Sequence, residues 1–350
     1  MVADVAVAFE GKGERVSIRG RSIRRRNFIH GGIGATAWLA LQGVPIASAA
    51  EGRSDEHARP IVDTHIHLYQ VTRPGGVPWP PPGPLYRDVL PPEYEALATA
   101  NGIRASGVVE ASPLVEDNRW ILNLLDHDSF FPFFVGSLEI GSPDFIANLD
   151  RFSADHRFVG IRGYLWGPPE GITLDAAQLR DLRALARRGM TLDIISRGTT
   201  NPKDRVLALC DAVPDLRVII NHLGGAKGPP PDPDWASWMR RLAAACPNLH
   251  MKFSSFFDMY QVGDGSQPWN APTDLSAYEW HFDVLMRSFG PDRLVWGSNW
   301  PVVLLGGTFE DQIRLAEEYL AHFGKVVRDK VMFRNALLFY RRHVPHGHGG

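Results

Sequence analysis

Residues 60–67 read Pro60-Ile61-Val62-Asp63-Thr64-His65-Ile66-His67, an apolar run that ends in two histidines separated by one residue. Its β-branched content marks a strand, and in a strand successive side chains alternate faces. His65 and His67 therefore point the same way and Ile66 the other. Neutral imidazole is the commonest protein ligand for a divalent metal, and two on one face supply half of a tetrahedral site. Read alone, the run is equally an exposed strand end, because burying two polar rings without partners is costly. The rest of the chain has to decide.

Working outward, strand-like runs recur at residues 61–67, 103–111, 133–138, 158–164, 190–195, 216–222, 249–254 and 294–296. Helix-length segments lie between most of them, at 93–101, 118–126, 176–188, 203–212, 235–245, 278–289 and 309–323. Strands alternating with helices imply parallel pairing, and eight such units are the count of a (β/α)8 TIM barrel. A doubly wound open sheet is the alternative, but no Gly-x-Gly-x-x-Gly follows the first strand.

A barrel gives the polar residues at strand ends a common address, its C-terminal mouth. His65 and His67 close the first strand, Glu110 the second, and Glu139 lies just past the third. Arg162 and Tyr164 lie on the fourth, Asp193 on the fifth, His222 ends the sixth, Lys252 is on the seventh and Asn299 follows the eighth. For Glu110, Glu139, Asp193 or Lys252 singly, a rim salt bridge explains the residue as well as catalysis does. Three histidines from two strand ends point to a site.

The motifs Ile61-Val62-Asp63-Thr64-His65-Ile66-His67, Gly160-Ile161-Arg162-Gly163, Ile220-Asn221-His222-Leu223-Gly224 and Trp296-Gly297-Ser298-Asn299-Trp300-Pro301 resemble the amidohydrolase superfamily. The resemblance is to its amidohydrolase-related branch, which includes sugar and dicarboxylate lactone hydrolases and, more distantly, decarboxylases. It runs from about Pro60 to about Arg342 and implies a barrel of the metal-dependent-hydrolase type, in which a divalent metal or the substrate oxyanion is held at the strand ends while water attacks a carbonyl. Three positions depart from that pattern. The fifth strand carries Asp193 where a histidine is usual, and the fourth Arg162 where a metal-bridging residue is usual, so a binuclear site is not expected. The eighth-strand position of the usual aspartate base is Asn299, whose carboxamide cannot take a proton from water near neutral pH.

Two chemistries survive that loss. One is a single zinc or manganese ion on His65, His67 and His222, with Glu110 taking the proton and Asn299 orienting the carbonyl. The other needs no metal, and histidines with Arg162 polarise the carbonyl directly. Arg162 is either a clamp for a substrate carboxylate or half of an ion pair inside the barrel. Trp79, held in the stiff run Pro78-Trp79-Pro80-Pro81-Pro82, Tyr164, Lys252 and Trp300 are the expected substrate contacts, which suits a cyclic, partly apolar small molecule.

Composition sets the outer bounds. The 350 residues are 44% hydrophobic and 22% charged, as in a globular protein with a sizeable core. A formal net charge of -2 gives no footprint for nucleic acid or an acidic membrane. Two cysteines, Cys210 and Cys246, could pair but exclude a Cys-rich zinc site. Residues 1–49 read as a twin-arginine signal peptide: Arg25-Arg26 with Phe28, a short Gly-containing apolar stretch, and small residues up to Ala49. Residues 50–59 are then a linker, 60–342 the barrel and 343–350 a His/Gly tail. The expectation is a periplasmic or secreted hydrolase that meets the twin-arginine machinery, keeps no membrane anchor and opens a lactone or similar cyclic ester. The alternatives are a metal-dependent decarboxylase and a non-catalytic binding barrel that lost its base at Asn299.

Overall fold

The computed structural model describes residues 60–163, 174–195, 203–263 and 266–340. The expected leader, linker and tail, and Tyr164, lie outside them. Eight strands are present: β1 (Ile61–Ile66), β2 (Ile103–Val109), β3 (Phe133–Gly136), β4 (Phe158–Gly163), β5 (Thr191–Ile194), β6 (Arg217–Ile220), β7 (Leu249–Ser254) and β8 (Leu294–Gly297). They pair in parallel in chain order, β1 to β8. The ring is closed between the end of β1 and the residues just past β8. Ile66 bridges Trp300, His67 N donates to Trp300 O at 2.8 Å, and Asn299 N donates to His65 O at 2.8 Å. This is the expected (β/α)8 barrel.

The helices between are α1 (Pro91–Ala100), α2 (Asp117–Leu124), α3 (Phe145–Ser153), α4 (Ala176–Arg187), α5 (Lys203–Ala212), α6 (Pro233–Ala245), α7 (Glu279–Phe289) and α8 (Phe309–Ala321). Two begin two residues before the expected start, because Pro91 and Pro233 occupy the first turn, where a missing N–H costs nothing. Asp175 and Gln178 form a reciprocal capping box on α4, and Asp232 caps α6 through Trp235 N. The sequence reading passed over α3, whose buried Phe145, Leu149 and Phe152 form one helical stripe. It also passed over α9 (Gly324–Asp329) and α10 (Asn335–Tyr340).

The core has two parts. The larger lies between strands and helices. The smaller fills the barrel interior with Val62, Val109, Phe133, Val135, Val159, Ile219 and Val295, and α10 adds Ala336, Phe339 and Tyr340 to it. Tyr340 stacks on Phe133 at 4.5 Å between ring centroids. Cys210 of α5 is disulfide-bonded to Cys246, which ends α6. Among the described residues no helix is long and apolar enough to cross a membrane.

Candidate active site

His65 and His67 are brought to the barrel axis by an irregularity at the end of β1. The β1–β2 register shifts between Asp63 and Ile66, and such a bulge re-aims side chains. Asp63 is buried and holds the bend, accepting from His65 N at 3.1 Å, Ser298 N at 2.9 Å and Tyr94 Oη of α1 at 2.8 Å. Gly297 lets β8 approach, since a Cβ there would stand 3.0 Å from His65 Cβ. His222 follows β6, and its ring centroid lies 4.5 Å from that of His65, which is 5.0 Å from that of His67. The three imidazoles are therefore neighbours at the mouth, as the sequence implies.

Their hydrogen bonds assign different nitrogens to the proton. His67 Nδ1 lies 3.0 Å from the Val109 carbonyl, which can only accept, so Nδ1 carries a hydrogen, and in the neutral ring Nε2 holds the lone pair. His65 Nδ1 lies 2.9 Å from Lys252 Nζ. That amine also donates to Thr64 O at 3.1 Å and pairs with Asp193 Oδ2 at 2.7 Å. Three acceptors match the three hydrogens of an ammonium, so Nδ1 of His65 accepts and Nε2 carries the hydrogen. Burial, followed by the Lys252 charge, pushes His65 well below the usual imidazole range and keeps it neutral. His65 thus offers a donor and His67 an acceptor, side by side.

Asn299 follows β8 and is buried, with Nδ2 donating to Ser255 Oγ at 2.7 Å. Its Oδ1 and His65 Nε2 are buried polar atoms with no hydrogen-bond partner among the described residues. Such atoms cost stability unless a ligand or water completes them. The backbone around them is strained. His222 (φ 55°), Leu223 (φ 51°), Ser255 (φ 58°) and Asn299 (φ 64°) are non-glycine residues in the left-handed region, each at the C-terminal end of β6, β7 or β8. Ser254 and Ser255 were missed in the sequence. Ser254 Oγ lies 3.1 Å from His222 Nδ1, and its only sequence signal is its place two residues after Lys252, on the same strand face.

Several expected roles change. Lys252 is fully buried beneath His65, so it is spent inside the barrel and not on substrate. Trp300 is 1% exposed and packs at 5.1 Å on Tyr94 of α1, outside the mouth. Arg162 Nε binds Glu110 Oε1 at 2.5 Å and Nη2 binds Glu110 O at 2.7 Å, both side chains being buried. The clamp and the substitute base are thus engaged with each other as an ion pair. Glu139 is exposed. Trp79 stands where expected, with its ring 5.4 Å from His67 and 5.3 Å from Tyr69, beside Leu85, Trp269 and Leu305.

The expected shared metal ion on His65, His67 and His222 does not fit this arrangement. A ligating imidazole must present a lone pair, and His65 presents the hydrogen that Lys252 leaves on Nε2. Asn299 supplies no anionic ligand. Among the described residues no group of three or more His, Cys, Asp or Glu side chains is set to hold a metal ion.

Comparison with known proteins adds to this geometry. A model of the amidohydrolase family matches residues 62–342. L-fucono-1,5-lactonase of Burkholderia ambifaria is 30% identical over 295 residues, covering 82% of this chain and 97% of the relative. L-fucono-1,5-lactonase of Burkholderia multivorans is 25% identical, covering 74% and 88%. A solved amidohydrolase of Burkholderia multivorans, with zinc bound, superimposes with a TM-score of 0.69 at 23% identity, over 80% of this chain and 98% of that one.

Proposed function

The chain belongs to the amidohydrolase family and is a hydrolase, and from that premise we propose that it opens sugar-type lactones with His67 as general base and His65 as carbonyl donor. The observation that carries the proposal is the opposite proton placement on the two histidines. His65 Nε2–H donates to the lactone carbonyl oxygen and strengthens as negative charge develops there. His67 Nε2 takes a proton from the attacking water, with the ring oriented by the Val109 carbonyl. The water oxygen bonds to the acyl carbon, the ring C–O bond breaks, and His67 returns the proton to the leaving ring oxygen, giving the hydroxy acid. Asn299 Oδ1, an acceptor without a partner among the described residues, suits the second hydrogen of that water. The missing eighth-strand carboxylate is replaced by an imidazole just past β1. Trp79 supplies an apolar wall for the ring of the substrate.

Export is part of the same reading. The Arg25-Arg26 leader supports it, and so does the Cys210–Cys246 disulfide, a bond that persists mainly in oxidising compartments. Replacing both arginines by lysine should leave the precursor in the cytoplasm.

The deciding experiment is a panel of 1,5- and 1,4-sugar lactones and carboxylated aromatics, assayed for acid and for carbon dioxide with chelated and zinc-supplemented protein. Acid release from lactones by chelated protein is the expected result. Carbon dioxide release, or acid release from the zinc-supplemented protein alone, would overturn this reading.

A further inference from the structure

Beneath the histidines, a polar chain crosses the barrel interior from its apolar floor to its mouth. Tyr340 Oη, on α10, lies 3.2 and 3.0 Å from the two carboxylate oxygens of Asp193. Asp193 Oδ2 pairs with Lys252 Nζ at 2.7 Å, and Nζ reaches His65 Nδ1 at 2.9 Å. Asp193 and Lys252 are fully buried, and the ammonium also lies 5.5 Å from the Tyr340 ring centroid. We propose that Tyr340, Asp193 and Lys252 are positioning residues that lock His65 with its hydrogen on Nε2, making it a carbonyl donor and denying a metal ion its lone pair.

The inference rests on the reading of His65 as carbonyl donor and adds to it the device that fixes the proton. A buried ion pair is a poor way to gain stability, since apolar residues of similar volume usually do as well. The arrangement here has a directional consequence that apolar residues would lack. Asp193 accepts one hydrogen of the ammonium, Thr64 O a second, and the third has only His65 Nδ1 to go to. Burial lowers Lys252 from the usual ammonium range, and Asp193 works against that shift. Without Lys252, His65 Nδ1 loses the donor that holds it as an acceptor, so its hydrogen is released to Nδ1 and Nε2 is left as a lone pair, which is the form a metal takes. The C-terminal helix thereby reaches the chemistry through Tyr340 without touching substrate.

The test uses 15N-histidine NMR on the full chain, with the His65 signals assigned by their loss in His65→Gln. The double variant Asp193→Asn, Lys252→Met removes both charges together, so no buried charge is stranded; Tyr340→Phe is the milder probe. Wild type should show His65 with its hydrogen on Nε2, and the double variant with its hydrogen on Nδ1. The double variant should also retain at least 10-fold more zinc in equilibrium dialysis, while kcat on a lactone falls about 10²-fold with KM changed less. Tyr340→Phe should lower kcat by a smaller factor in the same direction. A wild-type His65 with its hydrogen on Nδ1, or a double variant that keeps it on Nε2, overturns the proposal. Failure of the lactonase reading is distinguishable, because the NMR inversion would then occur in a protein that turns over no lactone. If the double variant does not fold, the wild-type spectrum and Tyr340→Phe still decide.

Discussion

The two halves of the barrel interior are built from the same eight strands and do opposite work. Toward the floor, Val62, Phe133, Val159 and Val295 pack with Phe339 and Tyr340 into an apolar cluster. Toward the mouth, His65, His67, Arg162, Glu110 and Asn299 bury polar atoms at close quarters, two of them with no partner among the described residues. The floor gains free energy by removing apolar area from water, at roughly 25 cal/mol per Å². The mouth gives some back, in unpaired polar atoms and in left-handed backbone at about 1–3 kcal/mol per residue. The lesson is that stability and chemistry here are separated along the barrel axis, with the Asp193–Lys252 pair at the boundary.

Four measurements can break or sharpen that separation. The largest effect is expected from His67→Asn, which should lower kcat on a lactone by roughly 10³-fold through loss of the base while shifting the unfolding midpoint little. A variant that loses stability and retains its rate would put His67 on the structural side. Next is Glu110→Gln, which removes the negative charge opposite the buried Arg162 guanidinium. Denaturant unfolding should show a loss of about 3 kcal/mol, with a much smaller loss of rate than His67→Asn. The opposite pattern, a large rate loss in a protein of full stability, would restore Glu110 as the base.

A third test lies at the floor. Val295→Ala opens a small cavity among buried apolar side chains, and about 2 kcal/mol of stability should disappear with kcat unchanged. A rate loss there as large as that of a mouth variant would show that the halves are coupled. The smallest effect concerns pH. His250, at the start of β7 against the Phe339 ring at 4.6 Å, is pushed down to about 4, chiefly by burial. His281, between Trp235 and Trp280, is pushed down to about 4 for the same reason. Each binds its proton less readily folded than unfolded, so stability is full above the ordinary imidazole range near 6.5. It should fall as pH drops from there to about 4 and level off below. In a pH series of unfolding curves, His250→Gln should remove about a third of that slope, because His65 is lowered as well, and an undiminished slope would mean that His250 is already protonated when folded.

Sequence alone determined the order of the elements and the residues available for chemistry. The eight strand positions were legible because each is a short apolar run bounded by helical segments, and a strand buried on both faces must read that way. Helix α3 escaped because its nine residues carry only three buried apolar side chains, too few to announce a period. His65, His67, His222 and Asn299 were legible because strand ends in a barrel share one mouth. What those groups do was decided only by the tertiary structure. Whether a histidine offers a hydrogen or a lone pair depends on the partner of its other nitrogen. For His65 that partner is Lys252, 187 residues away in the chain. Lys252 and Trp300 read as mouth residues from strand position, and only the packing showed one spent on Asp193 and the other on Tyr94. Residue type sets which chemistries are open to a side chain, and long-range contacts select among them, because proton placement and burial belong to pairs of groups that the linear chain keeps apart.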